Sequence, residues 1–550
     1  MKTENVEKIS IKKIIAVIFS LALVATIYGS MGGLGANLGF FALEMWLHVT
    51  LFCATFYLLK ENKLRFWLAL LPLIIIYSFS NYFYFTFARV FKFVDVDDLP
   101  ELILVLPYSY IAVFVIFSVV IFILYKKNIE LSSYRRSIKF MVPLLFLILV
   151  SKVLPETYVY GFNHFLVGEE SWNERGTVQH NGYISSTLYY EAKRLADLSK
   201  TSKFRNRESY AKNNIVLAKL LKENSNKRNI HLIILESFFD PSLFEGVPFT
   251  ENPINKQLVD VVSGRGSLIV SPVFGGGTAQ AEFEALCGVP ALREVGSVEF
   301  NLFTGVKAYC MPEQLKMMGY RVVATNASQP IFFNAYHAYK GVGFDEQYYP
   351  KEYSGGADSY FKVGQSAFDG DLLNKNLEFV SEHIKNDSRP IFNYVLGIYG
   401  HFYHYLDQRR HPLRIKTTQQ SLNDNQEFIR AVNQAYYRTS AIAEYIRKLK
   451  KIDPNSLVII FGDHLPPLGG INFYSDNKYL GNMDDAIHTT RAYYVFGGKV
   501  TKEYKKHQYE IKNIIMDYVT DHRYCSVVDC APSMQKLREN YMKIIAHAIE

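Results

Sequence analysis

Residues 271–288 read SPVFGGGTAQAEFEALCG, three glycines followed by a short helical pattern. The glycines at 275–277 let the backbone turn tightly and come close to a ligand, and the pattern predicts a helix from Thr278 onward. The free amides and the positive dipole end of such a helix favour an anionic group. A hydroxyl at that junction would lie beside a bound phosphate, so Thr278 is a candidate nucleophile. An ordinary N-cap is the alternative interpretation of a threonine in this place.

Apolar runs on both sides of this loop predict the strands of an α/β domain. Residues 230–235 (IHLIIL) suit a strand that is buried on both faces, as in a parallel sheet between helices. The other predicted strands cover residues 267–270, 320–324, 390–398, 456–462 and 491–495. Helical stretches such as 368–383 and 426–450 lie between them, and this alternation indicates the α/β class.

Residues with metal-binding or catalytic chemistry follow several of these strands: Glu236, Thr278, His401, Asp463 and His464. Ligands of open α/β sheets bind beyond the carboxyl ends of the strands, so we expect these side chains at one rim. Glu236, Asp463 and His464 form a ligand set that suits Mn²⁺, Mg²⁺ or Zn²⁺. A metal there would also contact Thr278, lower the pKa of its hydroxyl and neutralise charge on an attacked phosphoryl group. His401 would bind a phosphate oxygen or protonate a leaving alkoxide.

Each of these residues also has a purely structural interpretation. A glutamate after a strand is often a helix cap, and Asp463 before His-Leu-Pro-Pro is typical of a turn. A single histidine such as His401 is more often structural than catalytic. The shared rim is what favours the catalytic interpretation.

Composition separates the two ends of the chain. Most long apolar runs lie in the first 155 of the 550 residues, and the remainder has the composition of a soluble protein. The formal charge of +8 is too small and too dispersed to indicate nucleic-acid binding. Cys287, Cys310, Cys525 and Cys530 are an even number outside the apolar part, which suits an oxidising compartment. Cys525 and Cys530 are close enough in sequence to pair.

Five apolar stretches have the length of transmembrane helices: 14–30, 38–59, 66–87, 102–125 and 140–154. Lysines and arginines concentrate before the first stretch and in the second and fourth loops, whereas the loop at 95–101 is acidic. The positive-inside rule places the N-terminus in the cytoplasm, and five crossings put everything after Leu154 outside. The first stretch has no small-residue cleavage site, so we interpret it as a retained helix.

The apolar part is predicted to be an anchor, because its five stretches show no internal repeat of the kind found in secondary transporters. Glu44 and His48 stand one helical turn apart in the second stretch, either as a contact for a lipid headgroup or, as we favour, as a hydrated interfacial pair. The predicted domains are a transmembrane domain at 1–155, a linker with amphipathic helices at 156–229 and a catalytic domain at 230–550. The linker helices either lie along the membrane surface or pack on the catalytic domain.

Four motifs together resemble those of the lipoteichoic-acid-synthase-type phosphoglycerol transferases, sulfatase-like members of the alkaline phosphatase superfamily. The motifs are LESFFD (235–240), FGGGTAQAEFEALCG (274–288), YGHFYHY (399–405) and FGDHLPP (461–467). The resemblance runs through the whole chain, with five N-terminal spans, a linker and an extracytoplasmic α/β catalytic domain of the sulfatase-like fold.

The resemblance implies a role for each motif. The metal ligands of the family fall on Glu236, Asp463 and His464, its metal-contacting nucleophile on Thr278, and its substrate-contacting histidine on His401. Such enzymes move a phosphoglycerol headgroup from phosphatidylglycerol to the threonine, release diacylglycerol and pass the group to an acceptor hydroxyl. Mn²⁺ or Mg²⁺ is the usual metal in the synthases, and Zn²⁺ occurs in related phosphoethanolamine transferases. The implied location is the bacterial cytoplasmic membrane, with the catalytic domain on its outer side.

One segment departs from the family pattern, which has an upstream histidine and then a Phe-Trp-Asn-Arg stretch that contacts glycerol phosphate. Here TNASQPIFFNAYHAY puts Asn326 in place of the histidine and Ala335 in place of the arginine. Phe333 and Asn334 keep the aromatic and the asparagine, so Asn326, Phe333 and Asn334 are predicted, with His401, to contact the substrate. Losing a bidentate phosphate clamp is not a neutral change. It leaves open whether the acceptor is a glycerol-phosphate polymer or a glycan that receives a single headgroup.

The leading hypothesis is a membrane-anchored, metal-dependent phosphoglycerol transferase with a phospholipid donor. A phosphoethanolamine transferase acting on lipopolysaccharide or glycan is the close alternative among enzymes. A sulfatase is disfavoured because sulfatases convert a Cys or Ser nucleophile to formylglycine, whereas the residue here is Thr278. A catalytically inactive envelope sensor or binding protein is the alternative outside enzymes.

Overall fold

A computed structural model describes residues 42–87, 90–91, 108–130, 134–166, 174–205, 207–223, 226–295, 298–330, 332–353, 367–497, 499–500 and 505–549. The chain divides into two compact units, Met1–Lys200 and Thr201–Glu550. The boundary between them lies inside the segment predicted as a linker.

The first unit is mainly helical in the residues described. Its helices are α1 (Ala42–Leu58), α2 (Arg65–Phe87), α3 (Tyr108–Asn128), α4 (Tyr134–Val153), α5 (Pro155–Phe165), α6 (Glu174–Asn181) and α7 (Tyr183–Thr201). The first four overlap four of the predicted spans, and the predicted span at 14–30 lies outside the described residues.

The lengths and compositions of these helices do not establish the five-span topology, which stays a prediction. In the described part of the chain, no single helix is both long and apolar enough to cross a membrane. The pair α4 and α5 passes the same criteria when taken together, with a bend of 115° between its two helices.

A buried carboxylate joins two helices of this unit. Glu44 of α1 is fully buried and accepts hydrogen bonds from the amides of Ile184 (2.9 Å) and Ser185 (2.8 Å) at the start of α7. The hydroxyl of Tyr77 also donates to Glu44, and His48 bonds that hydroxyl at 2.7 Å. The interpretation of Glu44 and His48 as a hydrated pair is therefore wrong. The pair is buried because the carboxylate satisfies the free amides of a helix N-terminus.

The second unit is an α/β domain built on one sheet. Its strands in the described residues are β1 (Ile230–Leu235), β2 (Ser267–Val270), β3 (Arg321–Asn326), β4 (Glu346–Tyr348), β5 (Ile391–Gly397), β6 (Leu457–Gly462), β7 (Thr489–Phe496), β8 (Lys499–Val500) and β9 (Lys505–His507). Its helices there are α8 (Arg207–Glu223), α9 (Lys256–Val261), α10 (Thr278–Cys287), α11 (Met311–Met317), α12 (Ala335–Val342), α13 (Pro350–Tyr353), α14 (Asp369–Asn386), α15 (Gln420–Asn423), α16 (Gln426–Ile452), α17 (Ile471–Asp476), α18 (Ile511–Val519), α19 (Tyr524–Val527) and α20 (Met534–Ala548).

The order of the strands places the chemically important strand ends side by side. It is β4-β3-β5-β1-β6-β7-β2-β9, with β8 paired to β7. Strands β3, β5, β1 and β6 run parallel, so their carboxyl ends share one edge, where Leu235 lies level with Gly397 and Gly462. Strand β7 is antiparallel to β6 and to β2, which makes the sheet mixed. The predicted α/β domain is confirmed.

Burial explains why these segments form the centre of the domain. All six residues of β1 are buried, as the run IHLIIL predicts. Helices α14 and α16 cover one face of the sheet, where Leu372 and Ile446 join a core with Ile233 and Val395. Tyr394, which points to the opposite face from Val395, donates its hydroxyl to Glu282 of α10, so the helix that carries Thr278 lies on that opposite face.

The helices of the predicted linker pack in different units. In the first unit, Tyr183, Leu188 and Tyr189 of α7 join a core with Tyr77 and Phe162. In the second unit, α8 lies against α11, and Gln314 donates to Asn214 at 2.8 Å. Packing on the catalytic domain, one of the two expectations, therefore describes α8, while α7 packs on its own unit's helices.

Two disulfides lie in the second unit. Cys525 and Cys530, the pair indicated by their spacing, are bonded, and Cys287 at the end of α10 is bonded to Cys310 just before α11. The second bridge ties the helix that begins with Thr278 to its neighbour.

Helix α10 is buried along its whole length, including two glutamates. Burial raises the pKa of Glu282 to about 7 against the opposing hydrogen bonds from Tyr339 and Tyr394. Burial also raises the pKa of Glu284 to about 8, although an amide hydrogen bond from Ala291 favours its charged form. Burial of the helix therefore favours the protonated, neutral forms of both glutamates.

Replacing Glu44 by alanine should loosen the start of α7. The amides of Ile184 and Ser185 would lose their buried acceptor, and we expect the local stability there to fall by ~2 kcal/mol. Hydrogen–deuterium exchange of the full-length protein measures this as faster exchange of these amides. Glu61→Ala, which removes an exposed glutamate paired with Arg65, is the matched control. Unchanged exchange in Glu44→Ala would contradict the capping role.

Glu284→Gln should flatten the pH dependence of stability of the metal-free protein. A folded pKa of about 8, against an ordinary glutamate pKa of 4.5, means that the folded chain keeps a proton that the unfolded chain has released. The free energy of unfolding therefore falls as pH rises between these two values. Glutamine still accepts from Ala291 but does not ionise, so the variant loses this slope, at most ~1.4 kcal/mol per pH unit for one group.

Thermal unfolding of the full-length protein in detergent and chelator, at a series of pH values, measures this slope. Glu382→Gln, at an exposed position, is the control. A slope in Glu284→Gln equal to that of the wild type would show that Glu284 does not hold the proton.

Candidate active site

Glu236, Asp463 and His464 come together at the carboxyl edge of the sheet. Glu236 directly follows β1, and the other two directly follow β6, its parallel neighbour. One ligand atom from each lies within 4.8 Å of the others, and all three side chains are buried. His464 Nε2 is 3.4 Å from Glu236 Oε1 and 3.2 Å from Asp463 Oδ2. The structure thus brings together the three residues that the sequence predicts as metal ligands.

Thr278 lies against this cluster. It is the first residue of α10, and the N-cap is Gly277 in the left-handed conformation, with φ of 86° and no side-chain cap. The Thr278 hydroxyl instead donates to Glu236 Oε2 at 2.7 Å. The interpretation of Thr278 as an ordinary N-cap is therefore wrong, because a glycine takes that position and frees the hydroxyl for the carboxylate.

The hydrogen bonds of the cluster leave two atoms unsatisfied. His464 Nδ1 donates to the carbonyl of Leu465 at 2.9 Å, so Nε2 is the ring atom that faces the two carboxylates. Asp463 Oδ1 accepts from the amides of Ser237 and His464, each at 2.7 Å. Among the residues that the structure describes, the buried atoms Asp463 Oδ2 and His464 Nε2 have no hydrogen-bond partner.

Buried polar atoms without partners are rare in folded proteins, and these two face each other and Glu236. A divalent cation at this point would satisfy the free carboxylate oxygen and the free imidazole nitrogen together. The Leu465 carbonyl fixes the imidazole tautomer, as hydrogen-bond partners of metal-bound histidines generally do. The residues present therefore fit the metal that the sequence predicts.

The electrostatics of the cluster support the same fit. Burial raises the pKa of Asp463, and the charge on Glu236 adds to the rise while His464 opposes it. Burial also acts to raise the pKa of Glu236, but the charges of His464 and His401 and the hydrogen bond from Thr278 keep it below its ordinary value. Two carboxylates this close repel each other, and a bound cation would reverse that repulsion.

Two glycines make room for the turn that carries Glu236. A Cβ on Gly400 would overlap the carbonyl oxygen of Glu236, and a Cβ on Gly462 would overlap that of Phe238. The motifs YGHFYHY and FGDHLPP therefore need glycine where they have it, because backbone from β1 passes against both neighbouring strand ends.

His401 lies at the same edge but outside the buried cluster. It belongs to the loop after β5 and is exposed. Its Nδ1 donates to the carbonyl of Phe402 at 2.8 Å, so Nε2 is the ring atom that can meet a substrate. Its charge is close enough to act on Glu236.

Asn326, which takes the place of a histidine in the family pattern, is bound to the protein. It ends β3, its Nδ2 donates to the hydroxyl of Tyr339 at 3.0 Å, and its Oδ1 accepts from the amide of Ser328 at 2.7 Å. Tyr339 in turn donates to Glu282 of α10. Asn326 thus joins a buried network that reaches the helix of Thr278, and its contact with substrate stays a prediction.

Asn334 also holds the backbone, since its Nδ2 donates to the carbonyls of Phe300 (2.9 Å) and Phe303 (2.8 Å). Phe333 is half-buried, and Ala335, in the place of the arginine, is buried at the start of α12. These positions lie beyond the carboxyl end of β3, but their contacts with a substrate stay predictions.

Sequence reasoning missed three residues that fix Glu236. Ser237 Oγ donates to Glu236 Oε1 at 2.8 Å, and its place directly after the glutamate was the available signal. Arg438 donates to the Glu236 carbonyl at 2.9 Å and to Asp369 Oδ2 at 2.7 Å. Arg438 is 202 residues away from Glu236 in the chain, so no local pattern connects the two.

Gly400→Ala should disturb Glu236 without removing a ligand. Gly400 lies outside the left-handed region, so the effect of the new methyl group is steric overlap with the Glu236 carbonyl. We expect Mn²⁺ binding by the purified full-length protein to weaken ~10-fold or more, as when groups that orient metal ligands are disturbed. Gly161→Ala, where a Cβ would meet nothing within 4 Å, is the control. Mn²⁺ titrations that give Gly400→Ala the affinity of the wild type would contradict this account.

One family model and one curated protein match this chain. The sulfatase family model matches residues 228–531, which is more than half of the chain and includes Glu236, Thr278, Asp463 and His464. A curated protein of Rhizobium meliloti (strain 1021), described as a putative cyclic β-1,2-glucan modification protein, is 27% identical over 264 residues. That match covers 46% of this chain and 38% of the relative, so the chain spans well under half of the relative's length.

Solved structures of similar fold include two enzymes. The lipoteichoic acid synthase LtaP from Listeria monocytogenes is 19% identical, with 54% of this chain and 72% of that chain covered and a TM-score of 0.44. The Streptococcus pyogenes phosphoglycerol transferase GacH, solved in complex with sn-glycerol-1-phosphate, is 16% identical, with 64% and 92% covered and a TM-score of 0.46. The extent of the family match, over the strands and loops that build the site, shows that this chain belongs to the sulfatase family.

Proposed function

We propose that the protein is a metal-dependent transferase that moves a headgroup to a hydroxyl of a cell-envelope glycan or glycerol-phosphate acceptor. The leading candidate for the headgroup is phosphoglycerol, taken from phosphatidylglycerol. The observation that carries this proposal is the Thr278 hydroxyl at 2.7 Å from Glu236, at the N-terminus of a buried helix and beside Asp463 and His464. A hydroxyl nucleophile, a cation site and a helix N-terminus at one point are what phosphoryl transfer requires.

Glu236, Asp463 and His464, together with Thr278, would hold the cation. Mn²⁺ or Mg²⁺ is the proposed ion, with Zn²⁺ as the alternative. When bound, such an ion lowers the pKa of a coordinated hydroxyl and neutralises charge on a phosphoryl group.

The protein's own residues account for the bonds and protons of both half-reactions. In the first, Thr278 Oγ1 forms a bond to phosphorus, the bond from phosphorus to the diacylglycerol oxygen breaks, and the threonine proton ends on the released diacylglycerol. In the second, an acceptor hydroxyl attacks phosphorus, the bond to Thr278 breaks, and the acceptor's proton returns to the threonine. We assign the exchange of these protons, at the leaving and attacking oxygens, to His401, whose exposure supports this role.

A threonine nucleophile favours transfer over sulfate-ester hydrolysis. Formylglycine is an aldehyde made from a Cys or Ser side chain. Oxidation of the secondary alcohol of Thr278 would give a ketone instead. The phosphoryl group would therefore be carried as an ester of the threonine.

The acceptor is proposed to be a glycan that receives single headgroups. Ala335 stands where the synthase pattern has an arginine. The side-chain amide of Asn334 donates to the Phe300 and Phe303 carbonyls. A site without that bidentate clamp is less suited to binding a growing glycerol-phosphate chain. The similarity to a protein described as a putative cyclic β-1,2-glucan modification protein supports a glucan as the acceptor.

The proposed location is the bacterial cytoplasmic membrane, with the second unit on its outer side. The five apolar stretches and the alternating charge of their loops support this topology. The two disulfides of the second unit support an oxidising compartment.

Mass spectrometry of the purified full-length protein after exposure to lipid should find the headgroup on Thr278. Phosphatidylglycerol and phosphatidylethanolamine, each labelled in the headgroup, are offered in separate incubations, and the label that stays on the protein identifies the donor. We expect phosphoglycerol on the peptide that contains Thr278 and no adduct on Thr278→Ala, because alanine has no nucleophile.

Thr304→Ala, which removes a hydroxyl elsewhere in the same unit, should acquire the adduct like the wild type. A phosphoethanolamine adduct would replace the proposed donor with the alternative one. Full transferase activity in Thr278→Ala would overturn the mechanism, and the absence of metal binding and of any adduct would favour an inactive sensor.

A further inference from the structure

We propose that Arg438 is a positioning residue for the metal site, and that it acts by holding the Glu236 turn and the backbone before His401 together through its ion pair with Asp369. The inference rests on the proposed function in one respect, namely that Glu236 is a metal ligand. Neither Arg438 nor Asp369 belongs to the motifs that carry the resemblance.

The ion pair is buried inside the domain. Arg438 Nε donates to Asp369 Oδ2 at 2.7 Å, and the two side chains are only 2% and 1% exposed. The guanidinium also lies 5.1 Å from the ring centroid of Phe238, two residues after Glu236. Burying an ion pair in this way seldom stabilises a fold more than apolar side chains would. The contacts of the ion pair therefore indicate its role better than a contribution to stability does.

Each partner of the ion pair hydrogen-bonds to backbone that follows a different strand. Arg438 Nη2 donates to the carbonyl oxygen of Glu236 at 2.9 Å. Asp369 Oδ1 accepts from the amide of Tyr399 at 3.4 Å, in the loop that leads to His401. The pair thus connects the backbone of a proposed metal ligand with the backbone of the proposed proton-exchanging loop.

Glycines on β5 and after it keep space for this pair. A Cβ on Gly397 would come to 2.5 Å from Asp369 Oδ1, and a Cβ on Gly400 would come to 2.5 Å from Arg438 Nη1. The two glycines lie on either side of Tyr399, so the backbone and the ion pair fit together closely along the whole approach to His401.

Arginine is required here because one planar group serves two acceptors. Its Nε and Nη2 point at Asp369 and at the Glu236 carbonyl in fixed directions. A lysine would keep the positive charge opposite Asp369 but has a single nitrogen on a flexible stem. Arg438→Lys therefore separates the charge from the fork.

The test is Mn²⁺ binding by the full-length protein, followed by kinetics with the labelled phospholipid donor. We expect Arg438→Lys to bind Mn²⁺ ~10-fold more weakly, the lower end of the effect seen when groups that orient metal ligands are removed. We expect kcat to fall ~10-fold with KM for the donor within about twofold, since the ligand and the nucleophile are displaced while the donor's contacts remain.

Arg491→Lys is the matched control. Arg491 Nε donates to Asp240 Oδ2 at 2.8 Å and Nη1 donates to the carbonyl of Gly266 at 3.1 Å, so the same kind of fork is broken. Gly266 is not a proposed ligand, so Mn²⁺ affinity should stay at the wild-type value. Equal Mn²⁺ affinity in Arg438→Lys and Arg491→Lys would overturn the positioning role while leaving the proposed function intact.

A second variant covers the case in which Arg438→Lys does not fold. The double variant Asp369→Asn/Arg438→Gln removes both charges, so no unpaired ion is left buried. It should show the same loss of Mn²⁺ affinity, and wild-type affinity in it would overturn the inference. A wild-type protein that binds no Mn²⁺ and forms no adduct would overturn the proposed function and this inference with it.

Discussion

Two carboxylates and an imidazole, buried with one ligand atom of each within 4.8 Å of the others, are the constraint on which the second unit depends. Such a cluster is unfavourable on its own, because burial penalises the charged forms and the carboxylates repel. The surrounding protein offers it few donors. Ser237 and Thr278 each give one hydroxyl to Glu236, and two amides serve only one oxygen of Asp463. The remaining atoms are arranged for a cation, so the site is better explained by binding than by stability.

The sheet topology is what brings such a cluster together. Parallel strands β5, β1 and β6 deliver their carboxyl ends to one edge, and the turn after β1 is packed between Gly400 and Gly462. Helix α10 then meets that turn with its first residue, and burial of all ten residues prevents it from sliding. The disulfide from Cys287 to Cys310 fixes its other end. Thr278, the proposed nucleophile, is thus placed by a buried helix that is fixed at both ends.

The sequence was sufficient for the features that depend on local pattern. Ile-rich runs buried on both faces predict β1 and β6 within a residue of their observed bounds, and polar residues directly after them predict the edge where the cluster lies. The antiparallel direction of β7 was not predicted, because a strand's residue pattern contains no sign of its neighbour's direction.

Features that depend on distant contacts were missed or misjudged. Glu44 and His48 were predicted as a hydrated pair because the partners of Glu44, the amides of Ile184 and Ser185, come from a helix about 140 residues later. The same reason hides Arg438, whose contact with Glu236 spans 202 residues. Thr278 shows that a local pattern can also be ambiguous. A threonine at the start of a helix is compatible with an N-cap as well as with a nucleophile, and only the structure shows that Gly277 is the N-cap.

The absence of an arginine at position 335 has a consequence for how the site distinguishes its substrates. In the described residues beyond β3, the neutral side chains of Asn326 and Asn334 bond protein partners and supply no positive charge to a bound phosphate. The anionic group of the donor would then be held mainly by the cation, by the amides at the start of α10 and by His401. Each of these would bind the phosphodiester, and none of them would contact the alcohol attached to it. Under the proposed function, selection among headgroups would therefore depend on shape and hydrogen bonding around Phe333, a predicted contact, and the His401 loop. Glycerol and ethanolamine would be distinguished there.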